Sequence, residues 1–142
     1  MIFKNSNYYI SQALEMAKIA LSYDEVPVGA IVVKDGLIIG KGFNTVITNN
    51  SVSSHAEINA IYNASQFLNN YRLIDCDLYV TLEPCHMCAK AIVDARINHL
   101  YFGAKEPKTG AIESIDHFLS RIDLNHKVKF SGGYMAEESA AL

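Results

Sequence analysis

Two short stretches carry side chains that bind metals and move protons: His55 and Glu57 in "SSHAEINAI", and Cys85 and Cys88 in "TLEPCHMCAK". Cysteines three residues apart lie on one face of a helix. If a helix opens near Pro84, both thiols sit in its first turn, at the positive end of the helix dipole, which favours thiolates. Proline is tolerated there because the first helical N–H has no partner in any case. Such a pair suits three roles. It can ligate a soft-to-borderline divalent cation such as zinc, form a redox couple of the thioredoxin kind, or supply two small apolar side chains. The chain has three cysteines in all. A closed four-thiolate site is therefore impossible, and Cys76, near the start of a strand-like run, reads as a small core residue.

A metal held by Cys85 and Cys88 needs a further ligand, and the chain offers five histidines. His86 lies about 100° round the helix from each flanking residue and so points elsewhere. His99, His117 and His126 have no ligand-spaced neighbour and read as ordinary polar residues. His55 differs because Glu57 follows two positions later. Residues at i and i+2 do not face one another along a helix, but they can converge on a target beyond its end. Glu57 also has a second reading. Ser54-His55-Ala56-Glu57 fits a capping box, with Glu57 reaching back to the N–H of a Ser54 cap. Taken by themselves these four residues leave both readings open.

If the four residues meet, the chemistry is specific. Three protein ligands leave a zinc ion one open position for water, and zinc lowers that water's pKa to near neutral. Two thiolates balance the charge of the ion. Glu57, kept off the metal, can then move a proton from water to a ring nitrogen and on to a departing amine.

The elements that must carry these residues follow from periodicity. Apolar residues at Tyr9, Ile10, Ala13, Leu14, Ala17, Ala20 and Leu21 predict an amphipathic helix capped by Ser6 or Asn7. "VGAIVVKDGLIIGKGFN" predicts a hairpin turning at Asp35-Gly36. "SSHAEINAIYNASQFL" predicts a helix capped by Ser53 or Ser54. "CDLYVTL" predicts a strand and "PCHMCAKAIVDA" a helix. "HLYFGA" is strand-like, residues 115–121 helix-like, "KVKFSG" strand-like, and Tyr134 to Leu142 reads as the start of one more helix. A hairpin followed by β-α-β units gives an α/β fold: three α/β/α layers around a mixed five-stranded sheet. "AIVV" and "LYVTL" are apolar at successive positions, as strands covered on both faces should be.

The bulk properties agree. The chain has 142 residues, is 50% hydrophobic and 19% charged, and carries a formal net charge of −3. That suits one domain spanning residues 1–142 with a single core. An acidic balance does not favour nucleic-acid binding, although a local basic patch would allow it. The opening "MIFKNSNYYI" lacks the apolar run of a signal peptide, and no stretch reaches the roughly 18–20 apolar residues of a membrane span. The expectation is a cytoplasmic protein with reduced thiols and no membrane association.

A His-x-Glu at one helix start and a Pro-Cys-x-x-Cys at another, about 30 residues on, matches the pattern of zinc nucleobase deaminases. Beyond that pattern, "VPVGAIVV", "GKGFN", "NYRLIDCDLYVTLEPCHMCAKAI", "ARINHLYFGAKEPKTGAIES" and "LNHKV" resemble, in order, the bacterial-type tRNA-specific adenosine deaminases of the cytidine deaminase-like superfamily. The resemblance runs from about Tyr8 to Leu142. It implies conversion of adenosine to inosine at the wobble position of a tRNA anticodon. It further implies one zinc ion per chain held by His55, Cys85 and Cys88, with Glu57 as proton shuttle. Asn44 is implied to hydrogen-bond the flipped base, and Lys105, Glu106 and Lys108 to contact the anticodon loop. A homodimer is implied as well. Glu106 stands where aspartate is common in the family. The chain ends at "MAEESAAL", where relatives continue through a longer helix bearing aromatic and basic residues, so the expected C-terminal helix is either truncated or short by nature.

Two other readings remain. The zinc residues equally suit a deaminase of a free base or nucleotide, such as guanine, cytosine or dCMP, and only the "FGAKEPKTGA" loop and the general similarity favour tRNA. A catalytically silent RNA-binding subunit is the other alternative, and the presence of Glu57 speaks against it.

Overall fold

The computed structural model describes residues 5–142; residues 1–4, the start of the stretch read above for a signal peptide, lie outside the described residues. The first helix, α1 (Ser6–Ser22), buries Tyr9, Ile10, Ala13, Leu14, Ala17 and Ala20, the stripe its spacing predicts. Its cap is Asn5, whose Oδ1 accepts from the Tyr8 N–H at 2.9 Å. Ser6 and Asn7 are already helical, because asparagine caps as well as serine and adds a residue to the helix.

The hairpin pairs β1 (Gly29–Lys34) with β2 (Leu37–Phe43). Asp35 and Gly36 take φ of 51° and 79°, the double positive φ that a two-residue hairpin turn needs. A short helix that periodicity does not signal, α2 (Val46–Asn49), leads into α3 (Ala56–Leu68). Then follow β3 (Cys76–Leu82), α4 (His86–Asp94), β4 (His99–Ala104), β5 (Lys129–Ser131) and α5 (Ala136–Ala140). The strand order is β2-β1-β3-β4-β5. β1 is antiparallel to β2 and β3, whereas β3, β4 and β5 run parallel. This is the expected mixed five-stranded sheet.

The strands alternate between two covered faces. Ala30, Val32, Leu78 and Val80 pack with Ala56, Ala60 and Ala64 of α3 and Ile92 and Val93 of α4. Ile31, Val33 and Tyr79 pack with Tyr9, Ile10 and Leu14 of α1. Each large aliphatic side chain buried this way contributes about 1.5–3 kcal/mol. Helix α3 comes so close to β2 that a Cβ on Gly42 would stand 2.4 Å from the Ala56 carbonyl oxygen and 2.4 Å from the Ala60 nitrogen. Glycine is required there by space. Among the described residues no helix is long and apolar enough to cross a membrane.

One expected helix does not form. Residues 115–121 give only a 3₁₀ turn at Phe118–Ser120. The Ser120 N–H donates to His117 O and the Arg121 N–H to Phe118 O, each three residues back, and Arg121 turns extended (φ −66°, ψ 136°), so the segment closes one 3₁₀ turn and no α-helical ladder.

Candidate active site

Two helix N-termini meet beyond the carboxyl ends of the parallel strands, the side of an open α/β sheet where ligands bind. His55 is the N-cap of α3, with extended backbone (φ −73°, ψ 156°), so its ring projects past the helix end. Cys85 is the N-cap of α4 (φ −79°, ψ 177°), and Cys88 lies in that helix's first turn. Pro84 stands just before the cap; the expectation had placed it inside the helix. His55 Nδ1 lies 3.7 Å from Cys85 Sγ and 3.4 Å from Cys88 Sγ. The three donor atoms all fall within 4.8 Å of one another. Tetrahedral zinc with Zn–S near 2.3 Å and Zn–N near 2.05 Å sets S and N about 3.5 Å apart. The observed separations bracket that value, so the cluster is compatible with one metal ion. Three other histidines are engaged elsewhere: His86 Nε2 meets Asp116 Oδ2 at 2.8 Å, His99 meets Ser131 Oγ, and His126 meets the Ile97 carbonyl; His117 is not part of the cluster.

Glu57 does not form a capping box. Ser54 lies outside the helix and its N–H donates to Ser51 O at 3.1 Å, which leaves Glu57 in the first turn of α3, 4% exposed, facing a cavity. That cavity measures about 220 Å³. His55, Glu57 and Cys85 line it with the buried Asn44 and Glu83; Val26, Val28 and Leu82 form an apolar side, and the more exposed Glu106 and Thr109 its rim. Asn44 is 8% exposed; its backbone N–H donates to Val28 O, and among the described residues its side-chain amide has no protein partner.

A protein-family model described as MafB19-like deaminase matches residues 4–136. The tRNA-specific adenosine deaminase of Haemophilus influenzae is 48% identical over 127 residues, which cover 89% of this chain and 73% of that protein. The chain belongs to the tRNA-specific adenosine deaminases. A solved structure from studies of A-to-I editing by tRNA:A34 deaminases at the wobble position of transfer RNA superposes with a TM-score of 0.91 at 45% identity, covering 94% of this chain and 97% of that one. The guanine deaminase of Bacillus subtilis superposes with a TM-score of 0.71 at 32% identity, covering 90% and 85%.

The electrostatics of this deaminase's site fit proton transfer. Burial raises the Glu57 carboxyl to about 7. The Cys88 thiol, able to donate to Cys85, pulls the Cys85 thiol down to about 5 against its own burial, and the first-turn N–H groups add to the effect. Cys88 is pushed up in turn by its bond to Cys85 and by burial. The two thiols are thus shifted in opposite directions, and a cation binding both would release their protons.

The residues expected on the loop divide. Glu106 lines the cavity, whereas Lys105 and Lys108 are exposed and stand outside it. Residue types and spacing do not signal three further residues that build the walls. Glu25 accepts from the N–H groups of Ile47 and Thr48 and from the Thr48 hydroxyl, which fixes α2. Asn59 Nδ2 donates to Phe43 O at 2.8 Å and to Thr45 Oγ1 at 3.0 Å, joining α3 to the segment that carries Asn44. Glu83, 3% exposed, gathers the loop 106–114. Its one sequence signal is a carboxylate closing the apolar run of β3: carried inward, it must find donors.

Proposed function

We propose that this chain is a zinc-dependent hydrolytic deaminase that converts adenosine to inosine at the wobble position of a tRNA anticodon. The observation that carries this reading is a His55/Cys85/Cys88 cluster whose His55 and Cys85 line one cavity together with a buried Glu57 that stands outside the cluster. It is supported by the 48% identity to a protein named as a tRNA-specific adenosine deaminase.

His55 and the thiolates of Cys85 and Cys88 would hold the zinc ion, for which a His/Cys/Cys set is suited. When bound, zinc supplies the Lewis acid that makes water acidic at neutral pH. Every other part belongs to side chains of this chain. Glu57 accepts a proton from the attacking water, gives it to the purine ring nitrogen, and serves again as the amine departs as ammonia. One water is consumed and one ammonia released for each adenosine converted. The free amide of Asn44 hydrogen-bonds the base, and Val26, Val28 and Leu82 pack on its faces. A cavity of about 220 Å³ has room for a base, which a duplex or a stacked loop must flip out to deliver. Glu106 at the rim and Lys105 and Lys108 outside it meet the anticodon loop, the lysines through phosphates. We take residues 1–142 as one such domain, working as a homodimer in the cytoplasm.

The test is incubation with an anticodon stem-loop carrying a wobble adenosine, with and without a chelator. Inosine that disappears with the metal supports the reading. A metal-loaded protein that deaminates guanine, cytosine or dCMP and leaves the stem-loop unchanged overturns it in favour of a free-base or nucleotide deaminase.

A further inference from the structure

Glu83 is a buried carboxylate that pairs with no cationic side chain among the described residues; its hydrogen bonds come instead from one loop. Its Oε1 accepts from the Glu106 N–H at 3.1 Å. Its Oε2 accepts from Ile112 at 3.0 Å, Glu113 at 2.7 Å and Ser114 at 2.9 Å. The Ser114 hydroxyl donates to Oε1 as well. These donors sit on both ends of the segment 106–114, which carries Glu106 and Thr109 to the cavity rim.

A second observation points to the same contact. Gly110 lies against the carboxylate: a Cβ there would stand 2.4 Å from Glu83 Cδ and 2.5 Å from Oε1. The loop therefore closes on Glu83 with no room for a side chain. The neighbouring backbone is tied in too, since Ala111 N donates to Pro84 O at 2.9 Å and Glu83 N to Ala104 O at 2.9 Å. Glu83 thus joins the rim loop to the residues directly preceding Cys85.

We propose that Glu83 is a positioning residue: its buried carboxylate sets the 106–114 loop over the cavity, so that Glu106 and Thr109 meet the substrate in a fixed place. Glu83 itself need not touch the reacting atoms. The proposal rests on the functional reading only in naming what the loop meets.

The test compares wild type with Glu83→Gln and Gly110→Ala. Glutamine keeps the shape but leaves one acceptor oxygen and aims N–H at donors. The first readout is amide hydrogen exchange without substrate. Protection at residues 106 and 112–114 is expected to fall at least about tenfold in both variants, with α1 unchanged. The second is kinetics on whichever substrate the wild type deaminates. KM is expected to rise at least about tenfold, with kcat changing far less, because the rim loop holds the substrate equally before and during reaction. Metal content stays at the wild-type level. Since both variants disturb one contact, the double variant is expected to add little to either. Unchanged protection and unchanged KM in Glu83→Gln overturn the proposal. If Glu83→Gln does not fold, wild-type KM and exchange in Gly110→Ala overturn it instead. Inactivity of the wild type on the stem-loop would count against the tRNA reading alone, since the exchange pattern needs no substrate.

Discussion

Cys88 Sγ lies 3.4 Å from His55 Nδ1, although 33 residues separate them in the chain. No hairpin or helix turn brings them together; the packing of α3 and α4 on one face of the sheet does. A cation held there bridges two elements that otherwise meet only through side-chain packing. Removing it should therefore cost stability as well as activity. With free metal about 1,000-fold above its Kd, binding stabilises by about 4 kcal/mol. We expect chelation to lower the melting temperature of wild type clearly and reversibly. Cys88→Ser should lose more than about 100-fold in metal affinity. Calorimetric melts and metal analysis read both. A melt indifferent to chelator, with metal retained by Cys88→Ser, would show that the cluster is not the metal site.

Glu57 faces the cavity, stands outside the His55/Cys85/Cys88 cluster and does not cap its helix. Glu57→Gln should lower turnover by about 10²–10⁴-fold, the usual range for a lost general acid–base. Metal content should match wild type, and the melting temperature should not fall, because a neutral amide is easier to bury than a carboxylate. Turnover, metal content and a melt on one preparation test this. Wild-type turnover would remove Glu57 from the mechanism.

What could be read in advance follows from the range of the interactions involved. The Asp35-Gly36 turn, the apolar runs of β3 and β4 and the Cys85-x-x-Cys88 spacing are local, and each predicts its element. Asn5 replaced Ser6 as a cap because neighbouring polar residues compete on nearly equal terms. The capping-box reading of Glu57 failed because the helix starts one residue later than Ser54 would need. Glu83 was invisible for a different reason. Its partners, four backbone N–H groups and the Ser114 hydroxyl, lie 23 to 31 residues away, beyond the reach of any local pattern.

Gly42 links strand packing to the site. A methyl group there would press on the backbone of Ala56 and Ala60, the turn directly after His55. Neither contact is a side chain that can swing aside. Gly42→Ala should cost about 1–3 kcal/mol or more and, by shifting the start of α3, weaken metal binding. Leu14→Ala is the control: it opens a cavity on the opposite face, at about 2–5 kcal/mol, and should leave metal affinity alone. Titration of metal into both variants decides the matter, and equal affinities would mean that α3 tolerates the shift.

His99 gives the protein an acid-side weakness remote from the metal cluster. Its ring stacks on Tyr101 with centroids 4.0 Å apart, and Nε2 lies 3.0 Å from Ser131 Oγ. Burial lowers its pKa; Asp77 opposes that shift and Lys129 adds to it. The neutral ring is therefore favoured in the folded protein, whereas the unfolded chain takes up a proton near pH 6.5. Below that pH the unfolded state binds more protons, so stability falls as pH drops from about 6.5 toward the lower folded value. Asp77 is shifted upward, mainly by burial, and acts in the opposite sense at lower pH. His99→Gln cannot take up the proton. The gap in melting temperature between wild type and His99→Gln should thus be largest at neutral pH and shrink, or reverse, toward pH 5. Melts across that range at constant ionic strength would show it, and a gap independent of pH would mean that His99 titrates alike in both states.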